Sequence, residues 1–128
     1  MRDLLTQMQN HIEFLGYEIT DNNNNSFIAE NNNRFFVVKD LTYGILHVSY
    51  WPLNNIDSKL YEIINRANEI ANVSVYIVST DNEKQTLAIE AFYCGEYSKV
   101  SYGRFLDLFH KDCAEKLFYN EELKQYMN

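Results

Sequence analysis

The chain has few of the residues that form disulfides or shape nucleotide-binding loops. Its 128 residues include only two cysteines, one proline and four glycines. Cys94 and Cys113 form no CxxC pair, and two cysteines are too few for a disulfide scaffold. The glycines are scattered singly, whereas a phosphate-binding loop or a dinucleotide fingerprint needs several close together. The sequence therefore predicts neither a nucleotide-binding motif nor a disulfide-rich fold.

Long apolar runs are also missing. No stretch approaches the roughly 20 apolar residues that a membrane-spanning helix needs. The segment from Met1 to Met8 has no continuous apolar run and no small-residue cleavage site, so it does not resemble a secretory signal. We expect a cytoplasmic protein that does not associate with membranes.

Basic side chains are outnumbered, with 11 lysines and arginines against 18 aspartates and glutamates and a net charge of -7. Because basic residues are few, this balance argues against binding to phosphate groups and to nucleic acid. Apolar residues make up 46% of the chain and charged residues 23%, as in an ordinary globular protein. At this length we expect one domain, residues 1–128. The acidic balance favours either high solubility or a partner that carries basic stretches.

A catalytic or metal-binding site needs polar side chains that converge, and the sequence offers no such set. The three histidines, His11, His47 and His110, belong to the first predicted helix, a central strand and the last helix. No HxxxH, HExxH or CxxC spacing is present. We therefore expect no catalytic residues, no metal and no cofactor. The remaining enzyme hypothesis is a small hydrolase or ligand-binding enzyme that uses His47 or Cys94 in a cleft.

Two segments in the first half of the chain have the apolar spacing of amphipathic helices. The first runs from Arg2 to Leu15 and is followed by Gly16, which favours a helix end. The second follows Asp57, which is suited to cap it. Their predicted buried positions are Leu4, Leu5, Met8, Ile12 and Leu15 in the first, and Leu60, Ile63, Ile64, Ala67, Ile70 and Ala71 in the second.

A third amphipathic helix is predicted near the C-terminal end of the sequence. It begins at Ser98 or Ser101 and in its longest form reaches Tyr126. Two (i, i+4) pairs, Asp107/Lys111 and Asp112/Lys116, are predicted on its exposed side. Its predicted buried positions are Tyr102, Phe105, Leu106, Phe109, Cys113 and Leu117.

Short apolar or alternating segments between the helices predict strands. Two asparagine tracts, residues 22–25 and 31–33, separate the first of these and favour hairpin turns, because asparagine tolerates left-handed backbone geometry. The predicted strands are Phe27–Glu30, Arg34–Asp40, Ile45–Trp51, Val73–Thr80 and Thr86–Tyr93, with Tyr17–Thr20 as an optional extra and a turn at residues 81–85. The order α-β-β-β-α-β-β-α predicts an α+β domain with one antiparallel sheet and helices packed on one face.

The second face of this sheet is richer in large side chains than a fully solvated face would be. It is expected to carry either Phe35/Val37 or Phe36/Val38, together with the predicted partner-binding residues Trp51, Tyr76, Val78 and Phe92. One interpretation is that helices cover both faces, or that the exposed aromatic residues are scattered and carry no function. The other is that this face, or the second helix, contacts another chain.

This element order in a small acidic chain resembles the type III secretion chaperone-like fold. The resemblance is carried by the segment Ser58-Lys-Leu-Tyr-Glu-Ile-Ile-Asn-Arg-Ala-Asn, by the hairpin Val73–Tyr93 and by the helix from Ser101. The fold includes the secretion chaperones and the YbjN-like proteins, which are described as candidate sensory transduction regulators. The resemblance implies a homodimer without catalytic residues, whose sheet and grooves hold an extended segment of a partner protein.

These observations predict a non-enzymatic, cytoplasmic protein-binding domain with a chaperone-like or regulatory role. The alternative is an acidic protein of the immunity type that neutralises a basic toxin. The two differ in their target, because an immunity protein binds a folded basic partner with an affinity that falls steeply with salt. A chaperone or adaptor would instead hold an extended segment.

Overall fold

The computed structural model describes residues 2–32, 34–70, 73–79, 85–113 and 121–127. Its helices are α1 (Arg2–Phe14), α2 (Ser58–Ile70), α3 (Lys99–Lys111) and α4 (Glu121–Lys124). Its strands are β1 (Glu18–Thr20), β2 (Ser26–Asn31), β3 (Arg34–Asp40), β4 (Ile45–Pro52), β5 (Ser74–Ser79) and β6 (Gln85–Tyr93). The predicted α+β class is confirmed with two additions: the optional strand forms as β1, and a short helix, α4, follows α3.

All six strands belong to one sheet, in the order β1-β2-β3-β4-β6-β5. Pairing is antiparallel between β1 and β2, β2 and β3, β3 and β4, and β5 and β6, as predicted. The residues form two compact units. The first unit is Met1–Val48 with Phe92–Leu106, and the second is Ser49–Ala91 with Asp107–Asn128. The expectation of a single domain stays a prediction.

The core of the first unit lies between α1, α3 and one face of its strands. Alternation along paired strands sends every second side chain to the same face, and that face is apolar here. Phe27 and Ala29 of β2 are fully buried, and so is Val38 of β3, which is the register partner of Phe27. The other large buried residues of this core are Leu5, Met8, Ile12, Phe36, Ile45, Tyr93, Tyr102 and Leu106.

Helix α1 ends one residue earlier than predicted. Gly16 has a φ of 100°, a left-handed conformation that glycine adopts without steric cost. The Tyr17 N–H then donates to the Ile12 carbonyl at 3.3 Å, which closes the last turn. Leu15 lies beyond the end of the helix and is 48% exposed, so its predicted burial is wrong.

Helix α2 and the β5–β6 pair form the core of the second unit. The spacing of Leu60, Ile63 and Ala67 places them on one face of α2, and all three are almost fully buried. Val75 of β5 and Ile89 of β6, which are register partners, are buried as well. Full burial of an aliphatic side chain of this size contributes about 1.5–3 kcal/mol, so this apolar face is the main source of stability in the unit.

The asparagine tracts lie between strands, as predicted, except that Asn31 belongs to the end of β2. The Asn23 Oδ1 accepts hydrogen bonds from the Ser26 N–H at 3.1 Å and the Ser26 hydroxyl at 3.0 Å, which shapes the turn between β1 and β2. Asn32, between β2 and β3, has a φ of 56°. Asparagine is favoured in tight turns for these two reasons: its side chain bonds to nearby groups, and its backbone tolerates a positive φ.

The third predicted helix is shorter than its longest predicted form. Ser98 caps it through a hydrogen bond from the Ser101 N–H to the Ser98 hydroxyl at 3.0 Å, and α3 ends at Lys111. Asp112 is only 1% exposed, so its predicted place on the exposed side is wrong. Residue 112 lies just beyond the end of α3, where the regular spacing of the helix no longer determines the direction of its side chain.

Several predicted positions lie outside the described residues. These are Ala71, Thr80, the turn residues 81–84, Lys116, Leu117 and the side chain of Ile70.

Asp57 joins the start of α2 to the residues that follow α4. Its Oδ1 accepts a hydrogen bond from the Leu60 N–H at 3.2 Å, which is the predicted N-cap, and another from the Tyr126 hydroxyl at 2.8 Å. The Tyr126 carbonyl in turn accepts from the Asn54 N–H at 2.8 Å. One carboxylate therefore serves both the helix start and the C-terminal turn.

We predict that Asp57→Ala lowers the free energy of unfolding by about 1–2 kcal/mol, because it removes the cap and the Tyr126 partner together. Asp57→Asn should lose less, since asparagine also caps helices. The matched control is Asp107→Ala, an exposed carboxylate on α3, with an expected change within about 0.5 kcal/mol. Urea denaturation followed by circular dichroism measures all three. An equal loss for Asp57→Ala and Asp107→Ala would contradict the capping role.

Candidate functional site

Strand β5 ends the sheet on one side, and a side chain already occupies part of its outer edge. The carboxamide of Asn68, on α2, donates to the Val75 carbonyl at 2.9 Å. It also accepts from the Val75 N–H at 2.7 Å. A neighbouring strand would make the same pair of hydrogen bonds with one residue. Asn68 thus takes the place of a strand at Val75.

The contact between Asn68 and Val75 also shows in which direction the other backbone groups of β5 point. In an antiparallel pair, successive residues direct their N–H and C=O groups alternately toward the partner strand and away from it. Because Val75 gives both groups to Asn68 and not to β6, Ile77 and Ser79 also direct theirs away from β6. No other strand of the described chain lies on that side of β5.

Two of the four predicted partner-binding residues lie side by side on β5. Tyr76 is 38% exposed and Val78 is half-buried, and both point to the face opposite to the buried Val75. The Tyr76 hydroxyl donates to the Glu90 carboxylate of β6 at 2.8 Å. Partial burial, this hydrogen bond and the negative charge of Glu90 raise the pKa of Tyr76 to about 12.

The other two predicted residues are placed differently. By alternation along β4, Trp51 lies on the same side of its strand as the buried Ser49. The predicted grouping of Trp51 with Tyr76 and Val78 stays a prediction.

Phe92, on β6, is 42% exposed and contacts the ring of Tyr43 at 6.1 Å between centroids. It belongs to the first unit, whereas Tyr76 and Val78 belong to the second.

The sequence left open which pair of β3 residues, Phe35/Val37 or Phe36/Val38, lies on the second face of the sheet. Phe35 is 39% exposed and Phe36 only 2%, so Phe35 and Val37 lie on the face away from the core.

A cluster of histidine and tyrosine side chains, absent from the sequence-based prediction, lies in the first unit. The His47 Nδ1 bonds to the Ile45 carbonyl at 3.1 Å, so this nitrogen carries the proton. The Nε2 of His47 is then the acceptor for the Tyr102 hydroxyl at 2.7 Å. Burial raises the pKa of Tyr102 well above its ordinary value, with the nearby Tyr93 and Tyr97 adding to the effect.

The two residues at the centre of this cluster are shielded from solvent, because His47 and Tyr102 are both fully buried. His11 of α1 bonds through Nδ1 to the Tyr97 hydroxyl at 2.9 Å and packs edge-on against Tyr102. Buried polar groups must be satisfied inside the protein, and these satisfy one another while joining α1, β4 and α3.

An open cleft of about 590 Å³ lies elsewhere in the first unit. It is bordered by α1, by the turn between β3 and β4, and by the loop that follows β6. Tyr43, Glu96 and Tyr97 are among its lining residues. Neither His47 nor Cys94 lines it.

The two cysteines differ in access and in chemistry. Cys94 is exposed and Cys113 is buried. Burial raises the pKa of the Cys113 thiol to about 12, against the opposing effect of a hydrogen bond with Ser49. Across the described ranges, no group of three or more histidine, cysteine, aspartate or glutamate side chains could hold a metal ion.

No helix in the described part of the chain combines the length and the apolar character needed to cross a membrane.

The contacts that distinguish this site had little signal in the sequence. Asn68 is one of many asparagines, and it lies seven residues before its partner Val75 on a different element. Tyr102 was expected in the core, but its bond to His47 spans 55 positions in sequence.

Comparison with known proteins supports the fold. No protein-family model matches the sequence, and no curated protein is significantly similar to it. Among solved structures, the fold is similar to the crystal structure of YbjN from E. coli, which is described as a candidate transcription regulator. The TM-score is 0.79, with 97% of this chain and 95% of that chain covered at 10% sequence identity. The predicted YbjN-like fold is confirmed, and at this identity the likeness concerns the fold alone.

The raised pKa of Tyr76 predicts a loss of stability at alkaline pH. Between pH 10 and pH 12 the folded protein retains this proton while the unfolded chain has released it, so the free energy of unfolding falls as pH rises through that window. The difference in unfolding free energy between the native chain and Tyr76→Phe should be constant below pH 10 and should decrease above it. Guanidinium denaturation at several pH values measures this difference. A difference that does not vary with pH would refute the assignment.

The cysteines should react with iodoacetamide in order of exposure. Cys94 should be alkylated in the folded protein at neutral pH, whereas Cys113 should react only in denaturant, because the thiolate is the reacting form and burial disfavours it. Mass spectrometry counts the adducts. The Cys94→Ser variant is the control and should show no adduct until it unfolds. Rapid labelling of Cys113 in that folded variant would show that its burial is wrong.

Proposed function

We propose that this chain is a non-enzymatic protein-binding domain that holds an extended segment of a partner protein along strand β5. The half-occupied edge of that strand is the observation that carries the proposal. Asn68 pairs with Val75, while Ile77 and Ser79 direct their backbone groups outward. Addition of a strand to an open sheet edge is a common mode of peptide recognition.

The backbone contribution alone is modest. Ile77 and Ser79 offer two N–H donors and two C=O acceptors, and each hydrogen bond contributes about 0.5–1.5 kcal/mol net. Side-chain contacts are needed for useful affinity, and the exposed surface of Tyr76 and Val78 lies on the same strand. In this mode the main chain supplies the pairing, and alternate side chains supply the specificity.

The charge distribution favours a particular kind of segment. Strand β5 reads Ser-Val-Tyr-Ile-Val-Ser and contains no charged residue, whereas the whole chain has a net charge of -7. An alternating apolar segment therefore suits the strand, and basic flanking residues suit the surrounding negative field.

Asn68 also limits what can pair with β5. A long, uncharged edge strand is a site for unwanted aggregation, and proteins reduce this risk by covering or shortening the edge. The carboxamide removes Val75 from the available edge. A second copy of this chain, pairing through its own β5, is the competing occupant, and it would give the homodimer predicted from the sequence.

The YbjN-like fold is compatible with this role. YbjN is described as a candidate transcription regulator, and regulators commonly act by binding other macromolecules. His47, one of the two residues that the hydrolase alternative would use, is fully buried and bonded to Tyr102. This observation supports a binding role over the hydrolase alternative.

Proline scanning of β5 tests the direction of its backbone groups. Ser79→Pro removes an N–H that points away from β6, so the free energy of unfolding should change by less than about 1 kcal/mol. Val78→Pro removes an N–H that pairs with β6 and should cost about 2 kcal/mol or more. Urea denaturation compares the two. Equal losses would show that the edge is not open as described.

Binding is tested with random 12-residue peptides displayed on phage and selected on the native chain. Selected peptides, made synthetically, should bind the native chain and lose at least tenfold in affinity for Ser79→Pro, which remains folded. Peptides that bind both proteins equally, or a selection that yields none, would overturn the proposal.

Sedimentation velocity tests whether a second copy of the chain occupies the edge instead. If the native chain is a dimer and the Ser79→Pro variant is a monomer, the edge is assigned to a second copy.

A further inference from the structure

The cleft of the first unit combines aromatic walls with charge of one sign. Tyr43, which is 76% exposed, and Tyr97 lie among its lining residues. Glu96 is exposed and is the only described lining residue that is charged at neutral pH. Glu96 forms no ion pair with any other residue that the structure describes. Its carboxylate is therefore available to a ligand.

The walls of the cleft are held in place by hydrogen bonds from within the unit. Thr42 has a φ of 78°, an uncommon conformation for a β-branched residue, and its N–H donates to the Asp40 Oδ1 at 2.8 Å. The Tyr93 hydroxyl donates to the Glu96 carbonyl at 2.8 Å. The Tyr97 hydroxyl bonds to the His11 Nδ1 at 2.9 Å. These bonds fix the backbone at Thr42 and Glu96 and the side chain of Tyr97, and these parts of the cleft lose little conformational freedom when a ligand binds.

We propose that this cleft binds a guanidinium group, such as that of an arginine side chain. A guanidinium is a planar cation that packs against tyrosine rings and donates two parallel hydrogen bonds to one carboxylate, here that of Glu96. An ammonium group lacks the flat surface and the paired donors. The cleft volume of about 590 Å³ accommodates an arginine side chain and lies within the usual range of ligand sites.

This site is independent of the strand-addition proposal. All the groups that form it belong to the first unit, whereas β5 and Asn68 belong to the second. Failure of one proposal therefore leaves the other unchanged, and each has its own variants.

The test is a titration of the ¹⁵N-labelled chain, followed by NMR, with N-acetyl-L-arginine methylamide. Its neutral isostere, N-acetyl-L-citrulline methylamide, is the ligand control. Shift changes should be confined to residues 42–45 and 95–97, with a Kd of roughly 1 mM or below and at least tenfold weaker binding of the citrulline derivative. Equal binding of the two ligands, or no shift change at tens of millimolar, would overturn the proposal.

Variants assign the binding to the named groups. Glu96→Gln should weaken binding about tenfold or more, and Tyr43→Ala about two- to fivefold. Glu121→Gln, an exposed carboxylate on α4, is the matched control and should bind as the native chain does. Loss of affinity in Glu121→Gln equal to that in Glu96→Gln would indicate non-specific attraction to a negative chain and would refute the site.

Free L-arginine distinguishes the source of the guanidinium. Tighter binding of the free amino acid would indicate a small-molecule ligand whose amino and carboxyl groups also contribute. Tighter binding of the capped derivative would indicate an arginine within a polypeptide. Both outcomes support a guanidinium site. If the assignment to Glu96 is right, Glu96→Gln should weaken the binding of both ligands.

Discussion

The carboxamide of Asn68 holds both backbone groups of Val75, and the open part of the sheet edge is defined by this contact. A backbone N–H or C=O at the end of a sheet must find a partner or meet water. Asn68 satisfies one residue from the helix that also covers the strand. Once Val75 is known to direct its backbone groups away from β6, alternation along β5 gives the direction of the other backbone groups. Because Asn68 occupies Val75, only the later residues of the edge stay available for pairing.

The first unit has one group of polar side chains that is buried and another that is exposed. His47 and Tyr102 are buried and satisfy each other's hydrogen bonds, so they join α3 to the strands. Glu96 and Tyr43 are exposed at a cleft whose backbone is held by internal hydrogen bonds. The distinction depends on exposure, because the residue types alone would have favoured the histidine as the reactive group.

The likeness to YbjN illustrates how little sequence identity a fold of this kind requires. At 10% identity the two chains share their arrangement over nearly their whole lengths. Such agreement is possible because helix and strand patterns depend on the spacing of apolar residues and on a few turn residues, which many sequences can supply. Specific contacts such as the Asn68–Val75 pair depend on individual residues, and so the function of a relative does not follow from the fold.

The sequence by itself determined the class, the order of the elements and most of their ends, because these depend on local chemistry. Gly16 ends α1 through its left-handed backbone, Asp57 caps α2, and asparagines shape the hairpins. Only the tertiary structure decided that Phe36 and not Phe35 enters the core, that Asp112 is buried, and that Asn68 meets Val75. Each of these depends on how a helix or strand is rotated against its neighbour, and this rotation is set by the packing of distant residues rather than by local spacing.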